Sequence, residues 1–317
     1  MTIFISIASY RDPELENTIK SALDNADNPD YIWFGVVAQY PKRELPDLSW
    51  VPLLTSTVMH PKQARGAGYA RSEAMKLYCD EDYYLQIDSH TRFVKGWDTL
   101  CIDELNKAKT IAKNDKVILS YFPAPFSVEG NGKASFIKDH KKLKDYPTTQ
   151  VPALNKQKEW SAVREDFKDK ERNNPELSKT ILGGFIFADG SIVKEVPYDP
   201  EISFFGEEIC FAVRAWTRGW DIYSPSKDIV YHFYHRGDYK KIWKDAQVVS
   251  IPWKDIEARS HEKQKNVLCG IEKGVFGAGN IRSLKDYEEF VNIDFNYHYG
   301  LTNNSNKSTI DLMEGLE

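Results

Sequence analysis

The first 121 residues alternate between short apolar runs and amphipathic stretches, and this alternation restricts the fold more than any other feature. Ile3-Phe4-Ile5-Ser6-Ile7-Ala8 is almost wholly apolar, as expected of a parallel strand buried on both faces. Leu15, Ile19 and Leu23 then recur at four-residue steps, which predicts a helix laying one face on a sheet. Asp12-Pro13 ahead of it reads as an N-cap followed by proline at the first helical position. Further strands are predicted over 31–37, 53–59, 83–87 and 117–121. Helices are predicted from Gly66 to Cys79 and around Trp97, Cys101 and Leu105. This β-α-β-α order implies an α/β fold, with a mostly parallel sheet and helices on both sides.

The alternation stops at Phe122. From there to Lys179 the chain is polar, lysine-rich and interrupted by Pro123, Pro125, Pro147, Pro152 and Pro175. So long an irregular segment is either a functional loop or lid, or a surface insertion. Order returns with a strand predicted over 181–188, a helix over 207–218 ended by Gly219, and a strand over 229–235. From about Ala246 the chain reads as a helical and loop-rich extension. The expected division is a domain over 1–245 and an extension over 246–317.

A net charge of −5 argues against a nucleic-acid-binding face. The lysines between Lys138 and Lys144 read as a solvated loop. No stretch approaches 18 apolar residues, so no membrane span is expected, and Thr2 to Ala8 reads as a first strand rather than a signal peptide. Cys79, Cys101, Cys210 and Cys269 are widely spaced, without zinc-site spacing. They are expected to be reduced, which places the protein in the cytoplasm.

The most informative triplet is Asp88-Ser89-His90, at the end of the apolar run from Tyr83. Residues i and i+2 of a strand point the same way, so a carboxylate and an imidazole would share one side of a strand end. The carboxyl ends of strands are where open α/β sheets bind ligands. Alone, the triplet reads first as ordinary turn residues after a strand. A third metal ligand would come from far along the chain, with His232 and His235 as candidates. Three residues apart in a strand, they would face opposite ways. Mixed oxygen and nitrogen ligation suits Mn²⁺ better than Mg²⁺.

Several segments, in order, resemble the GT-A glycosyltransferases that use nucleotide sugars. The match is best to the polypeptide N-acetylglucosaminyltransferases that act on hydroxyproline. The resemblance is carried by 6–12 (SIASYRD), 64–71 (ARGAGYAR), 86–93 (QIDSHTRF), 182–185 (LGGF), 205–208 (FGEE), 231–235 (YHFYH) and 277–283 (GAGNIRS). The D-S-H form of the metal motif is shared with mucin-type polypeptide GalNAc transferases. The resemblance implies a GT-A, Rossmann-like fold. It implies retaining, metal-dependent transfer of a sugar, GlcNAc from UDP-GlcNAc, to a protein or glycan hydroxyl. No strongly placed base is then needed, because the leaving phosphate can accept the proton.

The resemblance also favours His232 over His235 as third ligand. His235 is otherwise a partly buried residue, or one that contacts phosphate or acceptor. It places Ser9, Tyr10 and Arg11 at the base and ribose, although Tyr10 also suits core packing. Arg71, with Arg65, would meet the nucleotide, arginine being a bidentate phosphate partner; both also suit a helix surface. Gly183 and Gly184 would let backbone approach the sugar. One of Glu207 and Glu208 would orient a sugar or acceptor hydroxyl, Glu207 foremost. The helix dipole alone also explains acidic residues there. Two other functions compete: a metal-dependent phosphodiesterase, which would want more clustered ligands, and a non-catalytic sugar-nucleotide-binding module.

Overall fold

The computed structural model describes residues 1–129, 134–136, 147–235, 237, 239–245 and 250–302. The first half runs β1 (Ile3–Tyr10), α1 (Leu15–Asn25), β2 (Ile32–Gln39), β3 (Leu54–Met59), α2 (Ala67–Met75), β4 (Tyr83–Asp88), β5 (Thr91–Phe93), α3 (Trp97–Ala112) and β6 (Val117–Leu119). Then come β7 (Ala124–Val128), β8 (Ala134–Phe136), β9 (Thr149–Leu154), β10 (Trp160–Glu165), β11 (Glu176–Leu177) and β12 (Phe185–Asp189). The remainder is α4 (Ile192–Glu195), α5 (Glu207–Thr217), β13 (Asp221–Ser224), β14 (Val230–His232), α6 (Trp253–Leu268), α7 (Leu284–Val291) and α8 (Phe295–His298).

One eight-stranded sheet organises the molecule, in the order β11-β13-β6-β12-β4-β1-β2-β3. β1 lies parallel to both β2 and β4, as a buried apolar run with helical crossovers requires. Its alternate residues feed two cores. Ile3, Ile5 and Ile7 join Leu15, Ile19, Trp97 and Leu105 on the α1–α3 side. Phe4 points the other way, into a core with Phe211, Val267, Leu268, Tyr287 and Phe295. Each such side chain contributes roughly 1.5–3 kcal/mol through burial. Trp97 also donates its indole N–H to the Ala22 carbonyl at 2.8 Å, which locks α3 onto α1. Helices α6–α8 share the second core with α5, and the Tyr287 hydroxyl donates to the Lys179 carbonyl at 2.7 Å.

The sheet is α/β as expected, but mixed. β12 runs antiparallel to both β4 and β6, and β11 antiparallel to β13. The reversal matters, because it brings the start of β12 to the end of the sheet where β1 and β4 finish. The segment 122–179 is also more regular than its prolines and lysines suggest. β9 and β10 form a hairpin, and β7 and β8 join β5 and β14 in a four-stranded sheet. Pro125 and Pro152 sit inside β7 and β9, since short strands of small sheets tolerate a missing donor. The lysine-rich stretch from Lys138 to Lys144 lies outside the described residues. All four cysteines are free. Among the described residues, no helix is long and apolar enough to cross a membrane.

Candidate functional site

Four chain segments converge where β1 and β4 end. Ala8 lies in register with Asp88, the last residue of β4. β12 begins beside it, with Phe185 opposite Ile87. His232, the last residue of β14, pairs with Thr91 of β5, and the Phe233 N–H donates to the His90 carbonyl at 3.1 Å. Asp88, His90 and His232 thereby gather, each offering one ligand atom within 4.8 Å of the others. Among the described residues this is the sole cluster of three or more His, Cys, Asp or Glu with such spacing. The His232 Nε2 lies 3.0 Å from Asp88 Oδ2, and the two imidazole rings cross at 4.6 Å.

Two details differ from the strand-end argument. β4 stops at Asp88, so His90 reaches the cluster from a bend, not from the same face of a strand. The bend is held by Asp12, whose Oδ2 accepts from the Ser89 hydroxyl at 3.0 Å and lies 2.7 Å from His90 Nδ1. Asp12 is thus not the simple N-cap expected. Helix α1 starts at Leu15, and only Asp12 Oδ1 serves the chain locally, accepting the Glu14 N–H at 3.0 Å. β14 likewise ends at His232, which leaves His235 exposed beyond the strand. Opposite strand faces therefore do not separate the two histidines; the end of the strand does.

Arg71 is buried between two carboxylates. Its Nη2 donates to Asp88 Oδ1 at 2.8 Å and its Nη1 to Glu207 Oε1. Close packing of α2 makes this possible. A Cβ on Gly68 would lie 2.0 Å from the Ile202 carbonyl oxygen, so α2 can approach the segment that leads into α5. Gly183 has a related function: its Cβ would stand 2.2 Å from Arg71 Nη1, and one on Gly184 would stand 3.1 Å from Asp88 Oδ2. Both glycines make room for this charge network. The Glu208 carboxylate accepts the Gly183 N–H at 2.8 Å, so the adjacent glutamates do separate work.

The electrostatics divide the carboxyl groups. Burial alone would raise Asp88, but Arg71 and the neighbouring histidines hold it well below the usual carboxylate range. Burial pushes Glu207 up to about 7, against the opposing charge of Arg71 and with help from the Glu208 and Asp88 carboxylates. Glu208 is also raised, again chiefly by burial. Two carboxyls driven apart in this way are a recurring mark of catalytic sites.

All of these groups face a cavity of about 290 Å³. Tyr10, Arg71, Asp88, Gly184, Glu207 and Glu208 line it, with His90 and His232. Lys240, Lys241, Ile242 and Trp243 also line it, and they carry no signal in the sequence beyond following the 231–235 motif. This stretch is tethered through Asp245, which accepts from the Tyr10 hydroxyl at 3.0 Å and from Arg11 Nη1 at 2.5 Å. Arg11 also grips Glu44 with two hydrogen bonds of 2.9 Å, so its guanidinium is spent on ion pairs. Ser9 is buried, with its hydroxyl 2.6 Å from that of Tyr40. Arg65 is exposed and lies over the Tyr69 ring at 5.0 Å.

The family model for glycosyltransferase (GlcNAc) matches residues 2–56 and 51–297. No curated protein matches by sequence. The crystal structure of GalNAc-T7 with UDP, GalNAc and Mn²⁺ is similar at TM-score 0.55 and 15% identity, over 92% of this chain and 55% of that one. The chain thus spans about half the length of that relative. The crystal structure of S. aureus TarS 1-349 is similar at TM-score 0.45 and 15% identity, over 84% of this chain and 72% of that one. The likeness to GalNAc-T7 gives the fold as GT-A. The family match runs almost from end to end, and the chain belongs to the glycosyltransferase (GlcNAc) family.

Proposed function

We propose that the protein transfers a sugar, GlcNAc, from a UDP donor to a protein or glycan hydroxyl in a metal-dependent reaction. The observation that carries this is the Asp88–His90–His232 cluster on the wall of the 290 Å³ cavity. The residues fit a metal ion: His90 Nε2 is buried without a hydrogen-bond partner, and it faces Asp88 Oδ2 at 3.8 Å. One carboxylate oxygen and two imidazole nitrogens suit a divalent transition metal, and Mn²⁺ is our candidate. A bound metal would neutralise charge on the donor diphosphate as a Lewis acid. The crystal structure of GalNAc-T7 holds UDP, GalNAc and Mn²⁺, which supports the same pairing of nucleotide and metal.

The chain's own groups divide the remaining work. Lys240 and Lys241 bring positive charge to the lining of the same cavity. Arg71 serves as the fixed cation that holds Asp88 ionised and in place, rather than as a mobile phosphate clamp. Glu207 Oε2 is buried without a hydrogen-bond partner at the cavity, so Glu207 is our candidate to orient a sugar hydroxyl. Glu208 holds the Gly183 backbone. The free thiols favour a reducing compartment. Among the described residues one ligand cluster is found, which gives a two-metal phosphodiesterase no support.

The test is a thermal-shift series with UDP, Mn²⁺, both together, and both with chelator. Ligand at 100 times its dissociation constant stabilises by about 2.7 kcal/mol. UDP with Mn²⁺ is expected to raise Tm well beyond the sum of the two alone, and chelator to erase the excess. Slow release of UDP from UDP-GlcNAc, faster than from UDP-GalNAc, would support the donor. An equal shift by UDP with chelator present would remove the metal from the proposal.

A further inference from the structure

Beyond the three ligands, we infer that Asp12 is a positioning residue that sets the tautomer of His90 and so makes its Nε2 available to a metal. The inference rests on the metal-site reading above. A carboxylate accepts and does not donate when ionised, so the 2.7 Å contact to Asp12 Oδ2 requires His90 Nδ1 to carry the proton. Nε2 then bears the lone pair, and it is the buried, unpartnered atom that faces Asp88. A carboxylate on the far ring nitrogen of a metal-binding histidine fixes ring and tautomer together.

Asp12 is itself held on several sides. Its side chain is 3% exposed. Oδ1 accepts the Glu14 N–H, and Oδ2 accepts the Ser89 hydroxyl. Its backbone N–H donates to the Tyr40 hydroxyl at 3.1 Å, while that hydroxyl donates to the Asp12 carbonyl at 2.8 Å. Ser9 continues this chain at Tyr40. The path from Ser9 through Tyr40 and Asp12 to His90 is therefore a rigid brace. It explains why Ser9, in the same 6–12 segment as Asp12, is buried and does not line the cavity.

The local donors make Asp12→Asn unusually informative. A backbone N–H cannot reverse its direction, so the introduced amide must keep its oxygen toward Glu14 and aim its NH₂ at His90. His90 Nδ1 then has to accept, and the proton moves to Nε2, the atom meant for the metal. The wild-type protein and the variant are labelled with ¹⁵N-histidine. Their metal-free two-bond ¹H–¹⁵N spectra report the tautomer, with His90 assigned by comparison with His90→Gln. Mn²⁺ affinity is measured separately from the free-ion electron paramagnetic resonance signal. The wild type should show Nδ1–H at His90. Asp12→Asn should show Nε2–H and bind Mn²⁺ about 10–100-fold more weakly. A wild-type His90 protonated at Nε2 overturns the inference without any variant, so poor folding of Asp12→Asn would not protect it. Mn²⁺ binding by Asp12→Asn within twofold of a wild type that does bind overturns the role of Asp12 alone. A wild type that binds no Mn²⁺, even with UDP, overturns the metal site itself.

Discussion

Replacing Asp88 by asparagine is expected to abolish the cooperative stabilisation by UDP and Mn²⁺ and to lower turnover of the sugar nucleotide on the order of 10³-fold or more. Loss of a metal's charge stabilisation removes several kcal/mol, and each 1.36 kcal/mol is tenfold in rate. The fold should survive, because asparagine keeps the shape of the residue that ends β4 and can still accept from Arg71 Nη2. The variant has a second signature. Asp88 is one of the charges that raise Glu207, so its removal should bring the Glu207 carboxyl down from about 7. Rates and UDP affinity measured against pH test both effects. Retention of the UDP–Mn²⁺ synergy in Asp88→Asn would exclude Asp88 as a ligand.

The largest effect on stability is expected at Arg71. Arg71→Met keeps much of the volume but leaves Asp88 and Glu207 without their shared buried cation. Removing one partner of a buried ion pair typically costs about 3–5 kcal/mol. Lysine should not rescue it, since one ammonium cannot reproduce a guanidinium forked between two carboxylates. The loss should depend on pH. In the wild type, Glu207 keeps its proton to about 7, against 4.5 for an ordinary glutamate. This contribution to stability is full below 4.5 and is lost as pH rises toward 7. Without Arg71 an ionised Glu207 is worse off still, so the deficit should be smaller near pH 5 than near pH 8. Urea denaturation at the two pH values measures this, and a pH-independent deficit would mean that Glu207 is not part of the cost.

Much of this arrangement was legible in the residues. β1 and α1 followed from apolar periodicity, and Asp88, His90 and His232 from the motifs and the resemblance they carry. What was not legible depended on long-range packing. The reversal of β12 cannot be read from 181–188, because a buried apolar strand looks the same in either direction. Prolines hid β7 and β9, although both are short members of small sheets. Gly183 and Gly184 were read only as room for a sugar. They also leave room for Arg71 and Asp88, which no local pattern reveals. Asp12 was masked by its suitability as a helix cap, since one residue used one oxygen for the chain and the other for His90. Lys240 to Trp243 have no periodicity that ties them to a cavity wall.

The convergence of β1, β4, β12 and β14 also has a kinetic meaning. The proposed ligands and their brace are drawn from Ser9 to His232, and the reversed central strand joins only after residues far apart in the chain have met. Such high contact order is costly in loop closure and comes late in folding. A metal ion therefore finds no assembled site in the folding transition state and cannot act as a template for the chain. It should slow escape from the native state instead, as interactions absent from the transition state do. In stopped-flow chevrons, UDP with Mn²⁺ should lower the unfolding arm and leave the refolding arm almost unmoved. Faster refolding would show that the site forms early.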